Sequence, residues 1–287
     1  MRLHKAPHPA AKPPPGARSC DQLLPLDVPT AVQMDYAPVI GLNGKLMSRM
    51  IFGTLFLSKA EDPCALLDAV WHTGCNAFDC AAVYGGGECE RLIGVWMREH
   101  HINREEIILI SKGGCGGQDK LWAADLDAAK VRTDLVSLAV PTRPVWPDTT
   151  FATKESSEFY QESGIAVLGW EVLGKGFMTG KWDRVDSERA KATRKRIASD
   201  PAFAARFGPV GEAAAEWREL QLTTAYCTED NFVRRDRVSA LAARKGLTMA
   251  QVALKYVASQ PFNAFVQVGT TSAKHFGENV IGGSIYK

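Results

Sequence analysis

The sequence has no run of about 18 apolar residues, which excludes a membrane-spanning helix. It has no C-x-x-C pair. Cys75 and Cys80 are separated by four residues, but no His or Cys pair follows at matching spacing, so the pattern argues against a zinc site. The seven cysteines, at positions 20, 64, 75, 80, 89, 115 and 227, are odd in number. They read as small buried side chains in a reducing compartment, which points to the cytoplasm. Neither sign of charge dominates. The 34 Lys and Arg against 32 Asp and Glu leave a net charge of +2, which argues against a dedicated nucleic-acid binder. The glycine-rich run at 113–117 ends in no Gly-Lys-Ser/Thr and has no G-x-G-x-x-G register. It is therefore a flexible loop beside Lys112, and neither a phosphate loop nor a dinucleotide fingerprint. No internal repeat is evident.

What remains is 287 residues, 46% of them hydrophobic, enough for one α/β barrel of roughly 250 residues. The first 20 residues stand apart: Arg2, Lys5, Lys12 and Arg18 are basic, no acid precedes Asp21, and Pro13-Pro14-Pro15 favours an extended chain. The absence of an apolar centre argues against a secretory signal. Residues 1–39 read as a disordered, Pro-rich basic extension, with organelle targeting by residues 1–20 as the alternative. Residues 40–287 read as the folded domain.

From Ile40 onward short apolar runs alternate with helical patterns, the rhythm of βα units and a parallel sheet. Asp62-Pro63 starts a helix whose apolar face is Leu66, Leu67, Val70 and Trp71, and Gly74 ends it. Cys75 to Cys80 is a strand, and Leu92, Ile93, Trp96 and Met97 mark the next helix. Ile107 to Ser111 is a strand running into Lys112. Ile165 to Leu168 and Phe265 to Val268 are strands, and Arg234 to Lys245 is a helix ended by Gly246. Thr248 and Gln251 form a capping box for a helix that buries Val252, Ala253, Tyr256 and Val257. Thr271 or Ser272 starts a last helix. The middle loses this rhythm. Asp119 to about Leu138 reads as one helix, and Leu138 to Glu155, broken by Pro141, Pro144 and Pro147, offers no convincing buried strand. About five βα-type strands are legible where a closed barrel needs eight. The basic run Lys191 to Arg196 reads as a solvated loop face, with contact to nucleic acid or a cofactor phosphate as the sharper alternative.

The run Phe78 to Gly85 holds the best chemical constellation. Asp79 ends a strand, Tyr84 lies in the loop that follows, and Lys112 ends the next strand on the same face. An ammonium beside a phenol would lower its pKa, and Asp79 would hold that ammonium charged, giving a general acid for a carbonyl oxygen. A strand-end salt bridge beside an ordinary loop tyrosine accounts for the same spacing.

Gly53-Thr54, Gly74-Cys75-Asn76-Ala77-Phe78-Asp79, Tyr84-Gly85, Glu90-Arg91-Leu92-Ile93-Gly94 and Ser111-Lys112-Gly113 together resemble the aldo-keto reductase family. The resemblance resumes over Gly164 to Lys181 and Asn231 to Asn279. It implies a (β/α)8 TIM-type barrel that reduces aldehyde or ketone carbonyls with NADPH. By this resemblance Tyr84 is the proton donor, tuned by Lys112 and Asp79. Trp170 stacks on the nicotinamide, with a core tryptophan as the plainer reading. Leu173, Gly174, Gly269, Thr270, His275, Glu278 and Asn279 hold the rest of the cofactor. His275 stands where the family often has Arg, which leaves NAD as an alternative to NADP. No metal is implied. The partner is a small carbonyl substrate, with no nucleic acid and no membrane.

The departures from the family pattern are specific. Histidines occur only at 4, 8, 72, 100, 101 and 275, so none lies between Lys112 and Trp170, where the family has a catalytic His. His72, His100 and His101 fall at helix ends and read as surface residues. The Ser-Asn pair and Gln that hold the nicotinamide amide are also missing, and the chain stops soon after Asn279. Asp134 to Ser137 reads as a junction at which roughly two to three of the eight βα units are absent. Pairing of the Ile107–Ser111 strand with the Ile165–Leu168 strand would close a smaller sheet. Such a loss predicts weak or absent reductase activity and low stability. Alternative readings are a non-catalytic nucleotide-binding or regulatory remnant, or an incomplete gene product.

Overall fold

A computed structural model of the chain describes residues 34–112, 137–141, 154–207 and 213–280. The described chain divides into two compact units.

The first unit holds a sheet and the helices around it. A hairpin of β1 (Tyr36–Pro38) and β2 (Leu46–Ser48) pairs antiparallel. It is followed by β3 (Met50–Gly53), β4 (Ala77–Asp79), β5 (Ile108–Ile110), β6 (Ser137–Pro141), β7 (Ala166–Trp170) and β8 (Ala264–Val268). These six form one sheet in the order β5-β4-β3-β8-β7-β6. The β4/β5, β3/β4, β3/β8 and β7/β8 pairs are parallel. Strands β3, β4, β7 and β8 are buried almost throughout, as expected of parallel strands covered on both faces. One face carries Ile51, Ala77, Ile108, Ala166, Leu168 and Phe265, packed with Ala37 and Met47 of the hairpin. The other face meets helices α1 (Pro63–His72), α2 (Glu88–Glu99) and α9 (Ala273–Glu278) through aromatic rings. Phe52 lies edge-on to Phe276 at 5.4 Å, and Phe78 and Trp71 each lie within 6 Å of Trp96. Each such ring pair adds about 0.5–1.5 kcal/mol beyond its buried area.

The second unit holds α4 (Arg184–Ser199), the single turn α5 (Pro201–Ala204), α6 (Ala214–Tyr226), α7 (Glu229–Lys245) and nearly all of α8 (Met249–Ala258). Helix α3 (Lys154–Ser163) belongs to the first unit. In the second unit Phe177 packs on Phe232 at 5.3 Å with the Arg235 guanidinium over both rings, and Arg184 bridges Glu229 and Asp236.

Most expected elements form where local chemistry places them. Asp62 accepts from the Ala65 amide to cap α1, Thr248 and Gln251 cap α8 reciprocally, and Ser272 caps α9. Several expectations need correction. Tyr256 is 44% exposed and does not share the buried face of α8. The basic run 191–196 is solvated, but it lies on helix α4 and not on a loop. Residues 34–39, placed in the N-terminal extension, begin the fold: β1 pairs with β2, and Met34 and Ala37 are buried. Residues 1–33 lie outside the described residues, as do the glycine-rich run at 113–117 and most of the helix expected over 119–138.

The largest correction concerns the middle of the chain. Ser137–Pro141 is a strand, seated beside β7. The sheet therefore has six strands and not five. The strand over Ile108–Ile110 does not meet β7; it ends the sheet on the opposite side. Proline is tolerated at a strand end, where its missing N–H breaks no ladder, and Pro141 sits there. Among the described residues no pairing joins β5 to β6, so the sheet is that of an incomplete (β/α)8 barrel. No described helix is long and apolar enough to cross a membrane.

Candidate active site

The C-terminal ends of β3, β4 and β5 bring three sequence-distant segments together. Thr54 follows β3, and its hydroxyl donates to the Asp79 carbonyl at 2.9 Å, which fixes the end of β4. The Cys80 amide donates to the Ile110 carbonyl at 2.7 Å, which continues the ladder to β5. Lys112 emerges from the end of β5 and turns back. Its Nζ donates to Asp79 Oδ1 at 2.6 Å and Oδ2 at 2.7 Å, and to the Cys80 carbonyl at 3.2 Å. The same ammonium lies 4.6 Å from the centre of the Tyr84 ring. Tyr84 is held there by a turn. Its amide donates to Ala81, and Gly85, Gly86 and Gly87 follow with φ of 58°, 68° and 90°, a run that residues with a Cβ would strain.

The electrostatics differ from the expectation in one respect. Burial pushes the Asp79 carboxyl up, and the Lys112 ammonium opposes this. Burial works against the Lys112 ammonium, but Asp79 and Tyr84 together outweigh it and its pKa is raised. The Tyr84 phenol is also raised above its ordinary value. Burial is the main cause; Lys112 pulls the phenol down as the sequence suggests, but Asp79 pushes it up, so the ammonium does not decide the sign. Burial lifts the neighbouring Cys80 thiol to about 11, which leaves it protonated and unreactive at neutral pH.

The structure brings Asp79, Tyr84 and Lys112 together and puts other expected residues at the same end of the sheet. Trp170 ends β7 and alternates onto the face of Leu168 and Ala166. Gly269 follows β8 and is exposed; a Cβ there would meet the Gly53 carbonyl at 3.1 Å. Thr270 Oγ1 accepts from the Ser272 amide at 3.0 Å. His275 and Glu278 are exposed on α9, Glu278 lies 3.8 Å from Lys274, and Asn279 Nδ2 donates to the His275 carbonyl at 2.7 Å. Leu173 and Gly174 belong to the second unit. There Gly174 has φ 54°, and a Cβ would press on Phe177 and Tyr226 at 3.2 Å.

Two features escaped the sequence reading. In the loop after β7, Glu171 accepts from the Tyr226 hydroxyl at 2.5 Å and pairs with Lys175 at 2.8 Å. Both Glu171 and Lys175 have positive φ, and nothing local in the sequence signals this. On β8, Gln267 is a polar residue inside an apolar strand, and that interruption was the available signal. The described histidines behave as expected in part: His72 and His101 are exposed, but His100 is half-buried and its Nδ1 lies 3.1 Å from the buried Asp68.

Comparison with known proteins bears on the family and the fold. The Aldo/keto reductase family model matches residues 49–137 and, as a second segment, 123–282. The two segments overlap at 123–137, the stretch that contains the junction expected at Asp134 to Ser137. Aldo-keto reductase AMT2 of Alternaria alternata is 32% identical over 82 residues, which cover 25% of this chain and 22% of that protein. Aldo-keto reductase NECHADRAFT_45914 of Fusarium vanettenii is 31% identical over 108 residues, 33% of this chain and 29% of that protein. The chain therefore spans less than a third of the length of these curated relatives. The solved glycerol dehydrogenase AKR11B4 from Gluconobacter oxydans superimposes with a TM-score of 0.54 at 14% identity, covering 88% of this chain and 91% of that one. With the family model matched over most of the chain, and six strands of its barrel in place, the chain belongs to the aldo/keto reductase family.

Proposed function

We propose that the chain is an oxidoreductase that reduces the carbonyl of a small aldehyde or ketone with a nicotinamide cofactor, NADPH in preference to NAD. The observation that carries this reading is the Asp79–Lys112 pair, closed at 2.6 Å beneath the Tyr84 ring. Tyr84 keeps its proton at neutral pH, the state required of a general acid. Lys112 against the ring stabilises the phenolate left after proton transfer, and Asp79 keeps Lys112 charged and aimed.

The residues fit a nicotinamide dinucleotide in part. Gly269 is exposed after β8 and packs close to Gly53, where a Cβ would press on the Gly53 carbonyl at 3.1 Å. Trp170, Gly269, Thr270, His275, Glu278 and Asn279, all of the first unit, would hold the cofactor. When bound it supplies the hydride. Lys274 is the cationic side chain of α9 near which a 2′-phosphate would lie, with His275 beside it and Glu278 opposing it. The five described cysteines are free thiols, which supports a cytoplasmic, reducing setting.

The second reading is a nucleotide-binding remnant without turnover. It is favoured by the absence of any histidine between Lys112 and Trp170. One experiment decides between them: titrate the purified chain with NADPH by fluorescence, and assay reduction of a small aldehyde beside Tyr84→Phe. Binding with turnover that Tyr84→Phe lowers by at least about a hundredfold supports the enzyme. Binding without turnover supports the remnant, and no binding rejects both.

A further inference from the structure

Gln267 sits in the next-to-last position of β8, where its neighbours are apolar. It is level with Ile51 on β3, while Asp79 on β4 is level with Gly53. Alternation from Phe265 and from Ala77 puts Gln267 and Asp79 on the same face of the sheet. In a barrel-type sheet the strands tilt, so inward side chains of alternate strands come to one layer. Strands β8 and β4 are alternate strands about β3, whose inward positions there are Ile51, level with Gln267, and Gly53, level with Asp79 and without a side chain.

The Gln267 Nε2 is buried and makes no hydrogen bond. Both Asp79 oxygens accept from Lys112, yet a carboxylate has lone pairs to spare. A donor without a partner and an acceptor with capacity thus share one buried layer. We propose that Gln267 is a positioning residue that donates to the Asp79 carboxylate and keeps it ionised and aimed at Lys112. Its catalytic consequence rests on the reductase reading above; its electrostatic consequence does not. In support, Gln267 lowers the Asp79 carboxyl against the effect of burial. The other groups facing Asp79 are Lys112 and Tyr84, with the protonated Cys80 next along the chain.

The test is a carboxyl-carbon NMR titration of the full chain without ligand, with the Asp79 signal assigned by Asp79→Asn. In Gln267→Leu and Gln267→Met the Asp79 midpoint should rise by about one pH unit, the effect of one lost neutral donor. An unchanged midpoint in either folded variant overturns the proposal. Should both variants fail to fold, the wild-type protein decides: the Gln267 side-chain amide protons must shift at the Asp79 midpoint, and their indifference to it overturns the proposal. In the aldehyde assay, Gln267→Leu should lower kcat severalfold with KM unchanged. A chain without turnover defeats the reductase reading but leaves the NMR outcome intact, so the two failures are told apart.

Discussion

Replacing Lys112 by Met leaves Asp79 as a buried carboxylate without its cation. Asp79 has a side-chain exposure of only 5%, and the Lys112 side chain is 40% exposed. Breaking a fully buried pair costs about 3–5 kcal/mol, and solvent around Lys112 reduces this to about 2 kcal/mol at pH 7. Methionine keeps the packing of the lysine stem, so the loss is electrostatic. It also has a ceiling, because the carboxyl can protonate instead. From an unfolded midpoint of about 3.9, protonation at pH 7 costs about 4 kcal/mol, and at pH 4.5 less than about 1 kcal/mol. The sign follows from burial. The Asp79 midpoint is already raised in the folded chain, and loss of Lys112 raises it further. The penalty is thus absent below the unfolded midpoint, grows as pH rises through it, and levels off above the folded midpoint. Lys112 contributes its own linkage only at alkaline pH, since its midpoint is raised above the ordinary lysine value. Urea unfolding of Lys112→Met and wild type at pH 4.5 and 7 measures the difference, and Asp79→Asn in the Lys112→Met background should recover most of the loss at pH 7. An equal loss at both pH values, or no recovery in the double variant, would refute the argument and assign the effect to packing.

Two further outcomes follow from named contacts. Gly74→Ala should destabilise the chain by about 2 kcal/mol or more in the same unfolding assay, because φ there is 88° and the new Cβ would lie 2.8 Å from the Tyr36 hydroxyl. A result within about 0.5 kcal/mol of wild type would contradict it. The Tyr84 phenol should ionise above pH 10, read as the phenolate absorbance lost in Tyr84→Phe, and a midpoint below 10 would restore the view that Lys112 dominates.

The Asp79, Tyr84 and Lys112 constellation was legible because strand ends are local: an apolar run fixes the strand, and its last residue fixes which end of a parallel sheet the side chain reaches. Helices α1, α2 and α8 were legible for the same reason, through caps and apolar spacing. Helices α4 and α6 were not, since α4 is strongly polar and the apolar residues of α6 follow no clear helical spacing. The strand at Ser137–Pro141 was hidden by flanking prolines, and its place depends on β7, which is distant in sequence.

By itself the sequence determined the family pattern, the parallel βα rhythm, and the identity of the acid, the phenol and the amine, because each depends on residue type and near neighbours. Tertiary structure alone decided three things. It placed Gln267 and Asp79 on one face of the sheet, on the two strands that flank β3. It set β5 and β6 at opposite ends of an unclosed sheet. It also raised the Tyr84 phenol, because burial, and not the nearest charge, dominates its ionisation, and burial is a property of the packed whole.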